Sequence, residues 1–237
     1  MRQEAILLVA FGSTAVDTQR VFDLIETQVQ TVFPEVPTRW AYTSRTVRGR
    51  LAELGKRFDS PEMALARLQE DGFSHVVLFS LHTIPGFEFH ELVHNTRLFE
   101  AMVGGLRRLI VAKPLLVSHQ DLKRAAVGMV KQVPNERRPE DAVILVGHGS
   151  EKHAADSIYT AMSAMVRELD ALVFLASIQG HPALEDVLPK LYRTGAKRVF
   201  LMPFMSVAGE HARKDMAGEQ PGRFKSVLER GGHDWVR

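Results

Sequence analysis

The chain contains no cysteine. That absence removes disulfides, thiolate metal sites and cysteine nucleophiles together, so any metal must be held by His, Asp or Glu. Long apolar runs are missing too. The longest near the start, Ala5–Phe11, is too short for a signal-peptide core with its cleavage region and reads as a buried strand. As written, the chain is expected to be cytoplasmic with no membrane partner, although an exported mature chain would look the same. A strong charge of one sign is also lacking, since the formal net charge is +2. The basic residues are scattered through helical stretches, so no nucleic-acid partner is expected, while small anionic substrates stay open. A Gly-x-Ser-x-Gly elbow is absent, which argues against a serine hydrolase. Gly12-Ser13-Thr14 has neither the Walker lysine nor the three-glycine dinucleotide pattern, so nucleotide binding is a weak signal.

What is present is apolar residue in quantity, 45% of 237 residues, enough for one large domain or two ordinary ones. Short runs rich in Val, Ile and Leu recur at Ala5–Phe11, His75–Leu81, Arg108–Leu115, Ala142–Val146, Ala171–Ser177 and Lys197–Phe204. Amphipathic helical stretches alternate with them, which predicts a doubly wound α/β fold around parallel sheets. The sequence also repeats itself. LLVAFGS (Leu7–Ser13) lies over ILVGHGS (Ile144–Ser150), and GFSHVVLFSLHTIPG (Gly72–Gly86) lies over GAKRVFLMPFMSVAG (Gly195–Gly209), in the same order. Two homologous domains related by a pseudo-twofold are therefore expected, 1–135 and 136–237, divided at the polar stretch Gln132–Glu140. By the same repeat the second half stops as its last strand begins, without a counterpart to the helix Gln120–Lys131.

Ligands in such folds sit beyond the carboxyl ends of the strands, so the two halves are expected to share a cleft there. The repeat brings a short polar list to those ends: Phe11 opposite His148, Thr43 opposite Gln179, and Glu88 opposite His211. A symmetric scaffold has thus acquired an asymmetric site. Two imidazoles and a carboxylate suit a borderline divalent ion such as Co²⁺, Fe²⁺ or Ni²⁺. His148 lies between two glycines after a buried strand, where a cleft-facing role outweighs a core one. His211 alone would be an ordinary surface residue near a helix start, and its relation to Glu88 tips it toward function. Glu88 could equally serve the dipole of the helix Phe87–Phe99. Thr43 and Ser44 read as cap residues before Thr46–Lys56. His90 and His94 share one helix face, a geometry compatible with a surface haem or metal, but most such pairs are merely solvated.

The pieces Val9-Ala10-Phe11-Gly12-Ser13, Ser80-Leu81-His82-Thr83-Ile84-Pro85-Gly86-x-Glu88, Gly147-His148-Gly149 and Leu201-Met202-Pro203 through His211-Ala212-x-x-Asp215-Met216-Ala217 resemble the anaerobic cobaltochelatases. These are class II chelatases that insert Co²⁺ into sirohydrochlorin, or its oxidised form, during cobalamin biosynthesis. The similarity runs nearly the whole chain. It implies two flavodoxin-like domains with a tetrapyrrole between them, His148 and His211 as metal ligands, and Glu88 as an acidic participant. It implies a divalent metal as substrate and no organic cofactor. Phe11, Gln179 and Arg45 are placed along the tetrapyrrole, and Arg48, Lys152 and Arg213 join Arg45 as candidates for meeting the ring's carboxylates. The chain departs from the family at Gln179, where a glutamate is common. A ferrochelatase making sirohaem and a non-catalytic tetrapyrrole carrier are the alternatives. Oligomeric state is open, a homo-oligomer included.

Overall fold

In the strand β1 (Glu4–Ala10) every residue from Ala5 to Ala10 is buried, which demands cover on both faces and explains the unbroken apolar run. A computed structural model describes residues 3–207 and 209–236, with only the backbone described for residues 210–213. After β1 come α1 (Val16–Val32), β2 (Thr38–Tyr42), α2 (Arg45–Glu53), α3 (Pro61–Glu70), β3 (His75–Ser80), α4 (Phe87–Glu100) and β4 (Arg108–Val111). The four strands form a parallel sheet in the order β2-β1-β3-β4. Its core gathers Leu7, Val9, Ala41, Leu65, Leu68 and Leu78 with the helix residue Leu92.

The second unit runs α5 (His119–Lys131), β5 (Ala142–Gly149), a single 3₁₀ turn at Ala154–Asp156, α6 (Ser157–Leu169), β6 (Val173–Gln179), α7 (Leu184–Tyr192), β7 (Arg198–Phe204), α8 (Glu210–Ala217), α9 (Phe224–Arg230) and β8 (Asp234–Val236). Its parallel sheet has the order β6-β5-β7-β8, the same topology as the first. Residues Val143–Val146 are fully buried, like their repeat partners in β1.

The predicted strands are all present, with shifted ends. β4 is shorter than the apolar run that announced it, because Pro114 cannot donate to a ladder. β5 is longer, carrying the ladder through Gly147-His148-Gly149. The compact units divide at Leu115 and Leu116, ahead of the polar linker that suggests a boundary at 135. The physical reason is α5. It follows β4 in the chain yet packs against α6, so it belongs to the second unit.

Candidate metal-handling site

In both sheets the chain reverses direction around the first strand, leaving a topological switch point between β1 and β3 and another between β5 and β7. The carboxyl edge beside a switch point is where α/β sheets take ligands. In the second unit that edge carries His148 near the end of β5, Gln179 at the end of β6, and the start of α8 after β7.

His148 owes its position to the glycines on either side. A Cβ on Gly147 would lie 2.6 Å from the ring of Tyr159 on α6. One on Gly149 would lie 1.5 Å from the Gln179 carbonyl, and Gly149 also has a φ of +80°, which side chains resist. The two glycines let the strand pass close to α6 and β6, while the imidazole between them is exposed. The phenol of Tyr159 is raised to about 12 by its burial, so it stays neutral and serves as packing. Two amides are then fixed by one carboxylate: Asp156 accepts from Ser150 N–H at 3.0 Å and from His181 N–H at 2.7 Å. Asp156 thereby joins the loop after β5 to the loop after β6. Sequence reasoning missed it, because nothing local marks its partners.

Gln179 is exposed at the β6 end and pairs in the ladder with Gly149. Ladder register corrects its expected counterpart. Ala10 pairs with Tyr42 as Gly147 pairs with Ser177, so the residue matching Gln179 is Ser44, one beyond Thr43. Ser44 is the N-cap of α2 and accepts from Val47 N–H at 3.2 Å, as its cap assignment predicts. Thr43 is not the cap, and its buried hydroxyl has no partner among the described residues. His211 is the second residue of α8, whose N-cap is Gly209. Its side chain, with that of Arg213, lies outside the described residues.

In the first unit Phe11 follows β1 and is 49% exposed, and Arg45 opens α2 in an exposed position. Glu88 is the second residue of α4, after N-cap Gly86, just as His211 follows Gly209. Burial, helped by repulsion from Glu91, pushes the Glu88 carboxyl up to about 7. Its side chain is still 43% exposed, so it combines contact with solvent and a proton affinity near neutrality. Next to it stands His82, whose Nε2 is 3.7 Å from the Glu88 carboxylate and whose pKa burial lowers to about 4.

Ser13 is occupied at the start of α1, accepting from Ala15 N–H and from the Thr18 hydroxyl, each at 3.1 Å. Those two bonds anchor the Gly12-Ser13-Thr14 turn to the first turn of α1. His90 and His94 are exposed on α4 and line a shallow hollow with Phe89, Val93 and Arg97. Lys152 is exposed and Arg48 partly buried. Among the described residues no three His, Asp or Glu side chains gather into a ready-made metal set. The described helices include none long and apolar enough to cross a membrane.

The family model described as Cobalt chelatase (CbiK) matches residues 4–235. The chain is 40% identical over 234 residues to a protein of Nitratidesulfovibrio vulgaris named Sirohydrochlorin cobaltochelatase CbiKC, covering 98% of this chain and 82% of the relative. It is 29% identical over 225 residues to a Salmonella typhimurium protein named Sirohydrochlorin cobaltochelatase, covering 94% and 83%. Among solved structures, SirB from Bacillus subtilis with Fe³⁺ aligns with a TM-score of 0.61 at 16% identity, covering 100% of this chain and 88% of SirB. CbiX, described as the terminal enzyme for biosynthesis of siroheme in denitrifying bacteria, aligns with a TM-score of 0.59 at 16% identity, covering 100% and 91%. At that identity these two speak for the fold alone. With a family model spanning nearly the whole sequence and a relative at 40% identity, the chain belongs to the cobalt chelatase (CbiK) family.

Proposed function

We propose that this protein is a sirohydrochlorin cobaltochelatase, an enzyme that inserts Co²⁺ into a sirohydrochlorin-type tetrapyrrole as a step toward cobalamin. The observation that carries the reading is His148, an exposed imidazole held at the carboxyl end of β5 by two glycines that neighbouring groups make obligatory. The names of the two relatives, one 40% and the other 29% identical, support this substrate and metal.

Insertion exchanges two pyrrole N–H protons for one divalent ion, which must also shed its water. A neutral imidazole can bind the ion or take a proton, but one nitrogen cannot do both at once. The roles are therefore divided. His148 and His211 hold the incoming Co²⁺, and Glu88 acts on the same macrocycle as proton acceptor or third ligand. A carboxyl raised to about 7 suits the first of these, since general-base work is most effective when the pKa lies near the working pH. Gln179, paired in the ladder with Gly149, offers a neutral amide where a carboxylate would add charge. Arg45 and Lys152, one at each carboxyl edge, meet the acidic side chains of the ring.

Co²⁺ and Fe²⁺ share this ligand chemistry, so the test runs both metals in parallel. Insertion into sirohydrochlorin is followed by absorbance for the wild type, His148→Ala and His211→Ala. Catalysed Co²⁺ uptake in the wild type and a loss of more than ~100-fold in each variant are expected, a cost larger than that of residues that only support a ligand. Unchanged rates in both variants would sink the mechanism. A faster wild-type rate with Fe²⁺ would reassign the metal. Binding of sirohydrochlorin with uptake at the uncatalysed rate would make the protein a carrier.

A further inference from the structure

His82 lies just beyond β3 with its side chain 10% exposed. Its Nδ1 is 2.8 Å from the Ser80 hydroxyl, itself on a residue only 5% exposed. Its Nε2 is buried without a hydrogen-bond partner among the described residues. The carboxylate recorded beside it is Glu88, 3.7 Å away on the next helix. A buried ring nitrogen left unpaired is costly, so the position calls for an acceptor that reaches it in some working state. Glu88 is half exposed, and a modest torsion of its side chain closes the gap.

We propose that His82 is a positioning residue for Glu88. Ser80 donates its hydroxyl proton to His82 Nδ1, which fixes the ring as the Nε2–H tautomer and aims that N–H at the Glu88 carboxylate. This rests on the reading that Glu88 acts on the macrocycle. The order serine, histidine, acid resembles a hydrolytic triad, but Ser80 is too buried to meet a substrate, so the relay runs outward to Glu88. The repeat supports the specificity of the arrangement. The residues matching Ser80 and His82 in the second unit are Pro203 and Met205, and there the helix residue matching Glu88 is His211. The unit that carries a carboxylate at this helix position has the donor, and the unit that carries an imidazole there lacks it.

Two measurements on the full-length protein test this. In ¹⁵N-histidine spectra of the wild type, His82 should be the neutral Nε2–H tautomer, with an Nε2 resonance that moves in Glu88→Gln. An Nδ1–H tautomer, or no response to Glu88→Gln, would overturn the proposal without bearing on whether the protein is a chelatase. In Co²⁺ insertion, His82→Leu should lower kcat by ~10-fold with KM for sirohydrochlorin nearly unchanged, and His82→Gln, which keeps an N–H near the Nε2 site, should recover most of the loss. His82→Leu combined with Glu88→Gln should be no slower than Glu88→Gln alone. Independent, multiplying losses, or a slow Glu88→Gln with full-rate His82→Leu, would reject the positioning role.

Discussion

The two carboxyl edges are built on one plan and kept in place by opposite means. In the second unit His148 is presented by backbone: Gly147 fits against Tyr159, Gly149 against the Gln179 carbonyl, and Asp156 binds two loop amides. In the first unit the matching segment ends in Phe11, and Gly12, the repeat partner of Gly149, has a similar φ of +94° but faces the side chain of Tyr42. There the acidic group depends on a side-chain neighbour, His82. A side chain held by backbone is rigid, whereas a half-exposed carboxylate beside a histidine can move. That difference suits the roles proposed for the two residues, His148 as a metal ligand and Glu88 as a proton acceptor.

The comparison breaks most severely at Gly149. Gly149→Ala places a Cβ 1.5 Å from the Gln179 carbonyl at a φ of +80°, so backbone must give way. We expect a loss of more than ~4 kcal/mol, seen as a collapse of the thermal transition of the second unit by circular dichroism. Gly12→Ala meets ring atoms at 2.8 Å and should cost less, because a ring can tilt. Equal losses at the two positions would erase the distinction between backbone and side-chain support.

Asp156→Ala comes next. It strips an acceptor from the Ser150 and His181 amides. Each amide left unsatisfied costs ~1–3 kcal/mol when buried and less where water reaches it, so a stability loss of ~2 kcal/mol is expected by denaturant titration. Metal insertion should also slow, by ~10-fold, through the misplaced His148. Wild-type insertion in this variant would show that the clamp does not hold the imidazole.

The smallest effects separate the two members of the first-unit pair by pH. Burial lowers His82 from 6.5 to about 4, so the stability it contributes is present above 6.5 and lost as pH falls through 4. Its size is at most on the order of 3 kcal/mol. Burial raises Glu88 from 4.5 to about 7, so its contribution is present below 4.5 and lost as pH rises through 7. His82→Leu should therefore flatten the acid limb of a melting-temperature profile. Glu88→Gln should gain stability relative to the wild type progressively as pH rises from 4.5 to 7, and the gain should be constant above 7. A single variant that altered both limbs would mean that the pair titrates as one unit.

Much of this was legible in the sequence because burial on both faces writes itself as unbroken apolar runs, as in β1 and β5. β2 was harder, since in Thr38–Tyr42 only Ala41 and Tyr42 are buried and Arg39 pairs outward with Asp71. The repeat marked Phe11, His148 and Glu88 at strand or helix ends, and each stands there. It could not supply register, which moved the match of Gln179 from Thr43 to Ser44. Nor could it find Asp156, whose partner His181 is 25 residues away. The orphaned nitrogen of His82 is likewise a product of tertiary burial, visible only once β3 and α4 are packed.

The placement of α5 has a consequence for synthesis. Its apolar residues Leu122 and Ala126 are buried in the finished unit, yet the chain leaves the ribosome with α5 ahead of its partner α6. At ordinary elongation rates of about 5–20 residues per second, that side of α5 waits roughly several seconds for cover. The first sheet can form in that interval without it. A second half expressed from the polar linker onward would omit α5 and lay bare the face of α6, whereas one begun at Leu116 would carry its own lid.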